Sequence, residues 1–341
     1  MKAIYLDAPG SFRLAEVSEP KKPTTGEVLV RVLRVGICGT DLHAFQGNQA
    51  FIKFPLILGH ELAVEVLEVD PSVSGLNPGD ICTVMPYLSC GTCIACRSGK
   101  TNCCVTLQVL GVHSDGGMCE RIVLPSDLLF KLGDIPIAEG ALVEMLSIGA
   151  HAVSRASIEP DEVVLVIGLG PIGLGTIAFA KERAARVVGV DISESRLDFA
   201  RSLGLAAVID GRDYAEGGIE GLLEELGIRE LPIVVFDATG NSKSMMTAID
   251  VVPNGGRLVF VGHTVDQLSF FNPELHRREI TILCSRNANR GDFKTVLDLL
   301  RAREIEVGSW ITHRASPEQL IADFSTWIDP EEGVVKAMLE F

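Results

Sequence analysis

The residues best equipped for chemistry sit in a few short fragments. "SCGTCIACRSGKTNCC", residues 89–104, holds five of the chain's nine cysteines, with Cys90, Cys93, Cys96 and Cys104 spaced C-x2-C-x2-C-x7-C. Gaps of two residues let three thiolates converge from one turn-rich loop. Four sulfurs about 2.3 Å from one ion make the closed tetrahedral shell of structural zinc. Cys103 is an alternative fourth ligand, because adjacent side chains diverge and only one of the pair is expected to close the ring. Reading the CxxC as a redox dithiol leaves the remaining cysteines unexplained. A closed shell has no position for a substrate, so this lobe is expected to brace the fold.

Three other fragments carry a different set of ligands: "GICGTDLH" (36–43), "GHE" (59–61) and "LVEMLSIGAH" (142–151). Cys38 offers a soft thiolate, His60 a borderline nitrogen, and Glu61 and Glu144 hard oxygens. That composition, with room left for water, is the one catalytic zinc uses. His60 and Glu61 are neighbours, and neighbours on a regular strand point to opposite faces. Both reach one ion only if the chain bends there.

Elements that could position a cofactor begin at residue 163. "VVLVIGLGPIGLG" is a run of β-branched residues followed by Gly168-x-Gly170-x-x-Gly173. The first glycine makes a tight turn, the second lets backbone approach a pyrophosphate, and the third lets helix pack on strand. The helix N-terminus that follows offers free N–H groups to phosphates. "RVVGVD" then ends on Asp191, 18 residues after Gly173 and placed to accept from a ribose diol. An acid there repels a 2′-phosphate, so NAD is expected over NADP. Further strands are expected near 206–209, 232–236, 257–261 and 279–283, and helices near 194–203, 218–227 and 241–252. Six strands complete a doubly wound dinucleotide-binding sheet. Gly240 and Gly262 fall just past strand ends, where such sheets bind ligands.

Composition bounds what remains. At 341 residues the length favours two domains, and 47% apolar with 22% charged residues describes a globular chain. A net charge of −15 lacks the footprint of a nucleic-acid binder. The segment "MKAIYLDAPG" has no charged head before an apolar core, so export is not expected and a cytoplasmic location is. The uncharged run Val163–Ala180 is broken by four glycines and Pro171, which argues against a membrane span.

With "GICGTD", "GHE", the four-cysteine lobe, "ALVEMLSIGAHAV", "GLGPIG" and "GVD" in this order, the chain resembles the zinc-dependent medium-chain dehydrogenase/reductase family over its whole length. The resemblance implies an α/β protein. Its parts would be a GroES-like, β-rich catalytic domain at 1–149, a doubly wound Rossmann domain at 150–284, and a return to the catalytic domain at 285–341. It implies two zinc ions per chain, NAD, a small polyhydroxylated substrate, and homodimers or homotetramers joined largely through the nucleotide-binding domains. Carried over by position, Cys38 and His60 look like zinc ligands, with Glu61 as a third or exchangeable one. Glu144 stands where alcohol dehydrogenases of the family have a cysteine. In the polyol branch a glutamate there reaches the metal through water, which leaves open which carboxylate ligates. Thr40 and His43 look like the proton acceptor and its relay. Gly168, Gly170, Pro171, Ile172, Gly173, Asp191, Arg196, Gly240 and Gly262 look like the cofactor site. "GNQAF", "GKTNCC", "GVHSDGG" and "SRNA" resemble bacterial sugar-acid dehydrogenases, notably those oxidising L-galactonate at carbon 5. His113, Arg286 and Asn287 look like substrate-site residues; Arg286 matches a cleft residue of polyol dehydrogenases, where a guanidinium could hold a substrate carboxylate. The alternatives are a polyol dehydrogenase of sorbitol or xylitol type, an L-threonine dehydrogenase, and a non-catalytic dinucleotide-binding regulator.

Overall fold

The computed structural model describes residues 1–341 except 50, 51, 184, 185 and 214–218. Two residues of "GNQAF" and the first residue of the helix expected near 218–227 lie outside the described residues. The chain forms two compact units, residues 1–145 with 289–341, and residues 146–288. The first division falls within helix Val143–Ala156.

The first unit is β-rich. Strand Glu27–Ile37 is its centre, paired antiparallel with Glu61–Val69 on one edge and with Lys336–Glu340 on the other. That sheet continues outward through Ile81–Val84 and Leu129–Lys131 on one side and Ile311–Ala315 on the other. Alternation drives the pairing: Val28, Val30, Val32 and Val35 are fully buried, while Arg31 faces water. The register sets Gly36 opposite both Glu61 and Met338, which brings the ends of three strands together beside Cys38. A smaller sheet, Ser11–Glu16, Lys2–Ala8 and Leu56–Ile57, and a two-stranded ribbon, Tyr87–Leu88 with Gln108–Val109, complete the unit.

The second unit is a six-stranded sheet, parallel throughout, in the order Ala207–Asp210, Arg186–Asp191, Val163–Ile167, Val234–Asp237, Arg257–Phe260, Thr281–Cys284. In chain order this is 3-2-1-4-5-6, the doubly wound arrangement with its switch point beside Val163–Ile167. All five residues of that strand are buried, as a strand covered on both faces must be. Helices Glu194–Ser202, Ile219–Glu225 and Ser242–Val251 fall where the apolar periodicity puts them, with ends shifted by a residue or two. Helix Ser242–Val251 ends against Arg278, whose buried guanidinium donates to the carbonyls of Ile249, Asp250 and Val252. Close packing comes from small residues: a Cβ on Gly149 would lie 2.5 Å from the carbonyl carbon of Gly175. Among the described residues no helix is long and apolar enough to cross a membrane.

Candidate metal and cofactor sites

Cys38, His60 and Glu61 come together in the first unit, their ligand atoms all within 4.8 Å of one another. The bend that adjacency demands is present. Gly59 has φ +92°, His60 precedes the strand, and Glu61 begins it. A Cβ on Gly59 would meet Val35 at 2.8 Å, so the turn also needs a residue without a side chain. Gly36 gives Glu61 its space: a Cβ there would sit 2.1 Å from Glu61 Oε2. Asp41, fully buried, accepts from the Cys38 backbone N–H at 2.8 Å and so fixes the start of helix Gly39–Phe45.

The electrostatics favour a cation. Buried Asp41, Glu61 and Glu144 and the Cys38 thiol face Lys336, 2% exposed, and His60, 5% exposed. Lys336 Nζ lies 2.6 Å from Glu61 Oε1 and 2.5 Å from Oε2. Burial alone lowers the pKa of Lys336, but the charges of Glu61 and Cys38 outweigh it and hold the ammonium above its usual range. Burial likewise lowers that of His60, and the charge and hydrogen bond of Cys38 together with Asp41 and Glu144 reverse it, leaving the imidazole well above its usual range. Burial pushes Asp41 up against the opposing pull of His60. Asp41 Oδ1 and His60 Nδ1 are buried without a hydrogen-bond partner among the described residues and stand 4.0 Å apart. An anionic excess with an orphaned imidazole nitrogen fits a divalent ion held by thiolate, imidazole and carboxylate. Glu144 stays outside the group of three. Its carboxylate accepts a buried hydrogen bond from the Tyr87 hydroxyl. Burial raises the Glu144 pKa, while His60 and the Tyr87 bond pull it the other way.

The four-cysteine lobe is equally well formed. Cys90, Cys93, Cys96 and Cys104 gather with all sulfurs within 4.8 Å, and exposed Cys103 is not among them. Backbone N–H groups of Cys93, Cys96 and Cys90 reach the sulfurs of Cys90, Cys93 and Cys104 at 3.4, 3.5 and 3.2 Å. Such bonds favour thiolate, and those from the Thr92 and Cys93 backbone hold the Cys90 thiol down to about 5. The set fits closed tetrahedral zinc, with no dithiol left over.

In the second unit the glycine turn is packed as the spacing requires. Gly168 has φ +91°, and a Cβ on Gly173 would lie 1.8 Å from the Gly168 carbonyl oxygen. Gly170 caps helix Pro171–Lys181, whose first turn holds Pro171 and Ile172. Asp191 ties this turn to the next strand, accepting from Leu169 N at 2.7 Å on Oδ2 and from Ile192 N and Ser193 N on Oδ1. Arg196 stands over the turn, 3.7 Å from Asp191 Oδ2. Gly240, φ +65°, and Gly262 touch: a Cβ on Gly262 would lie 2.4 Å from Gly240 N.

The other sequence-nominated residues are more dispersed. Thr40 is half-buried and His43 exposed, three apart on helix Gly39–Phe45 and so on one face. His113 Nδ1 accepts from Val109 N at 3.1 Å and steadies its own loop. Arg286 is exposed just past the edge strand, and Asn287 is half-buried with φ +50°. Sequence reasoning passed over Asp41, Tyr87 and Lys336. The first had a signal, an acid three residues after Cys38 at capping-box spacing. Lys336 had a fainter one, a single cation inside the apolar run "GVVKAMLEF". Tyr87 had none.

Comparison with known proteins agrees with this geometry. Residues 24–134 match the alcohol dehydrogenase GroES-like domain and residues 171–302 match the zinc-binding dehydrogenase domain. L-galactonate-5-dehydrogenase of Escherichia coli K12 is 38% identical over 319 residues, 94% of this chain and 93% of that protein. Among solved structures, rspB from E. coli CFT073, an alcohol dehydrogenase complexed with NADH, superposes with TM-score 0.92 at 28% identity. The match covers 100% of this chain and 99% of the other. A structure from Sinorhizobium meliloti 1021 bound to NADP superposes with TM-score 0.90 at 26% identity, over 100% and 99% of the two chains. The chain belongs to the zinc-type alcohol dehydrogenase family, oxidoreductases acting on CH–OH groups. The non-catalytic alternative is thereby set aside.

Proposed function

We propose that this dehydrogenase oxidises a secondary hydroxyl of a hexonate-type sugar acid to a keto acid, with NAD as hydride acceptor and two zinc ions per chain. The observation that carries this is the group of half-buried Cys38 with buried His60 and Glu61 in a chain 38% identical to an L-galactonate-5-dehydrogenase. Cys38, His60 and Glu61 hold the catalytic ion, which supplies Lewis acidity toward the substrate hydroxyl. Glu144 stands by it without being required as a ligand. Thr40 Oγ1 accepts the substrate proton through its hydrogen bond while releasing its own hydroxyl proton toward His43, exposed on the same helix face, which hands a proton to solvent. Asp191 receives the adenosine ribose diol on its remaining lone pair, and the glycine turn with Pro171 and Ile172 carries the pyrophosphate. Arg196, Gly240 and Gly262 line the rest of that site. Cys90, Cys93, Cys96 and Cys104 hold the second ion as a brace.

Arg286 reads the substrate carboxylate, with His113 and Asn287 as hydroxyl contacts. A chain of net charge −15 repels an anion, so a local cation must offset that field. The enzyme works in the cytoplasm as a homodimer or homotetramer. The test is NAD⁺ and NADP⁺ reduction across aldonates, polyols and L-threonine. Aldonates with NAD⁺ should lead, and Arg286→Ala should raise KM for the acid by the equivalent of roughly 2–5 kcal/mol while sparing the matching polyol. Faster turnover of sorbitol or xylitol refutes the sugar-acid assignment. Faster reduction of NADP⁺ refutes the reading of Asp191.

A further inference from the structure

The group around Cys38 holds more carboxylates than a single ion needs, and each has its own buried donor. Glu61 is paired with Lys336 and lies within reach of Cys38 and His60. Glu144 is bonded to the Tyr87 hydroxyl and lies outside that reach. Tyr87 is itself fixed. It is 5% exposed, its backbone pairs with Val109, and its ring meets Phe293 edge-on with centroids 6.4 Å apart. Phe293 in turn stacks on Phe130 at 5.4 Å. An aromatic ring packed this way cannot follow its partner if the partner moves.

We propose that Tyr87 is a positioning residue whose hydroxyl tethers Glu144 and keeps it out of the metal's ligand set. This rests on the zinc reading of Cys38, His60 and Glu61 given above. For Glu144 to bring an oxygen onto the ion its carboxylate must move from the place where the phenol holds Oε1, which strains or breaks a charge-assisted hydrogen bond to a buried hydroxyl. A penalty of that kind shifts the choice between the two carboxylate positions by roughly ten-fold or more. Glu61 needs no such move. Its pairing with Lys336 is compatible with the place it already occupies. Tyr87 thus decides between two chemically equivalent ligands, and Glu144 stays free to accept a hydrogen bond beside the ion.

The experiment uses the full chain loaded with cobalt(II), whose visible d–d bands report coordination number and donor set. The contribution of the four-cysteine lobe is removed by subtracting the spectrum of Cys38→Ser protein. The parent and Glu144→Gln should give the same difference spectrum, and Glu61→Gln a different one. Tyr87→Phe should shift the bands as Glu144 moves onto the ion, and should tighten zinc binding roughly ten-fold in competition with a chelator. Tyr87→Phe/Glu144→Gln should return to the parent spectrum, a rescue that general loosening of the site would not produce. Unchanged bands in Tyr87→Phe overturn the proposal, as does a change in Glu144→Gln alone. Should Cys38→Ser bind as much cobalt as the parent, the zinc reading falls and the tether falls with it.

Discussion

Replacing Lys336 by methionine keeps an unbranched side chain one atom shorter and deletes its charge, so it isolates one buried interaction. In the metal-stripped protein the Glu61 carboxylate is left with no cation at 2.5–2.6 Å, in a place that is 0% exposed. Breaking a buried pair by removing one partner costs about 3–5 kcal/mol, because the other charge remains uncompensated. The chain supplies its own reporter. Its two tryptophans, Trp310 and Trp327, are both buried in the first unit, so their fluorescence follows the unfolding of that unit alone. With an m-value of about 3 kcal/mol/M, Lys336→Met should lower the urea midpoint by roughly 1–2 M. Lys336 is held above its usual range. The lysine's share of that contribution is therefore complete at neutral pH and is lost in alkali, as pH rises through the folded-state value. Adding zinc should narrow the deficit, since the ion supplies positive charge beside Glu61. Glu61→Gln/Lys336→Met should recover most of the lost stability. A metal-stripped Lys336→Met midpoint within about 0.3 M of the parent would refute the reasoning.

Three shorter tests bear on the other sites. Elemental analysis should find two zinc ions per chain, one lost in Cys38→Ser and the other in Cys96→Ser, the latter with a marked loss of folding stability. A parent holding a single ion that survives Cys38→Ser would show that the Cys38 group binds no metal. Gly173→Ala drives a methyl to 1.8 Å from the Gly168 carbonyl oxygen and should abolish NADH binding measured by fluorescence, so an unchanged Kd would refute the packing argument. Burial pushes the thiols of Cys82 and Cys119 up to about 12, so at pH 8 iodoacetamide should spare both in folded protein while modifying exposed Cys103. Mass spectrometry reads the result, and early labelling of Cys82 or Cys119 would contradict their burial.

How much was legible beforehand follows from whether the signal is local. The four-cysteine lobe spans 15 residues from Cys90 to Cys104, and its spacing alone implied its geometry. The same holds for the glycine turn and Asp191, because strand, turn, helix and next strand are consecutive in such units. Cys38, His60 and Glu61 were legible as ligand types, and the need for a bend was legible too. That Gly59 supplies the bend while Gly36 clears room for Glu61 depends on register between separate strands. Lys336 meets Glu61 across 275 positions, and Tyr87 meets Glu144 across 57. No periodicity links residues so far apart, so the buried partners of these carboxylates stayed hidden while the carboxylates did not.

The strand Lys336–Glu340 lies inside its sheet, between Glu27–Ile37 and Ile311–Ala315. Its place has a consequence for the order of events during synthesis. Translation at about 5–20 residues per second separates residue 37 from residue 336 by roughly 15–60 s. During that interval residues 146–288, which form a unit by themselves, can close their own sheet. The first unit meanwhile has Arg121–Pro125 against residues 27–31 of its central strand but nothing against 34–37, and Glu61 has no lysine to meet. Cys38, His60 and Glu61 are all made early, yet Lys336, which completes the group, follows Glu61 by 275 positions. A nascent chain caught in that window carries a short unpaired β-edge over residues 34–37, next to the residues that are to form the site, and edges of that kind pair with neighbours.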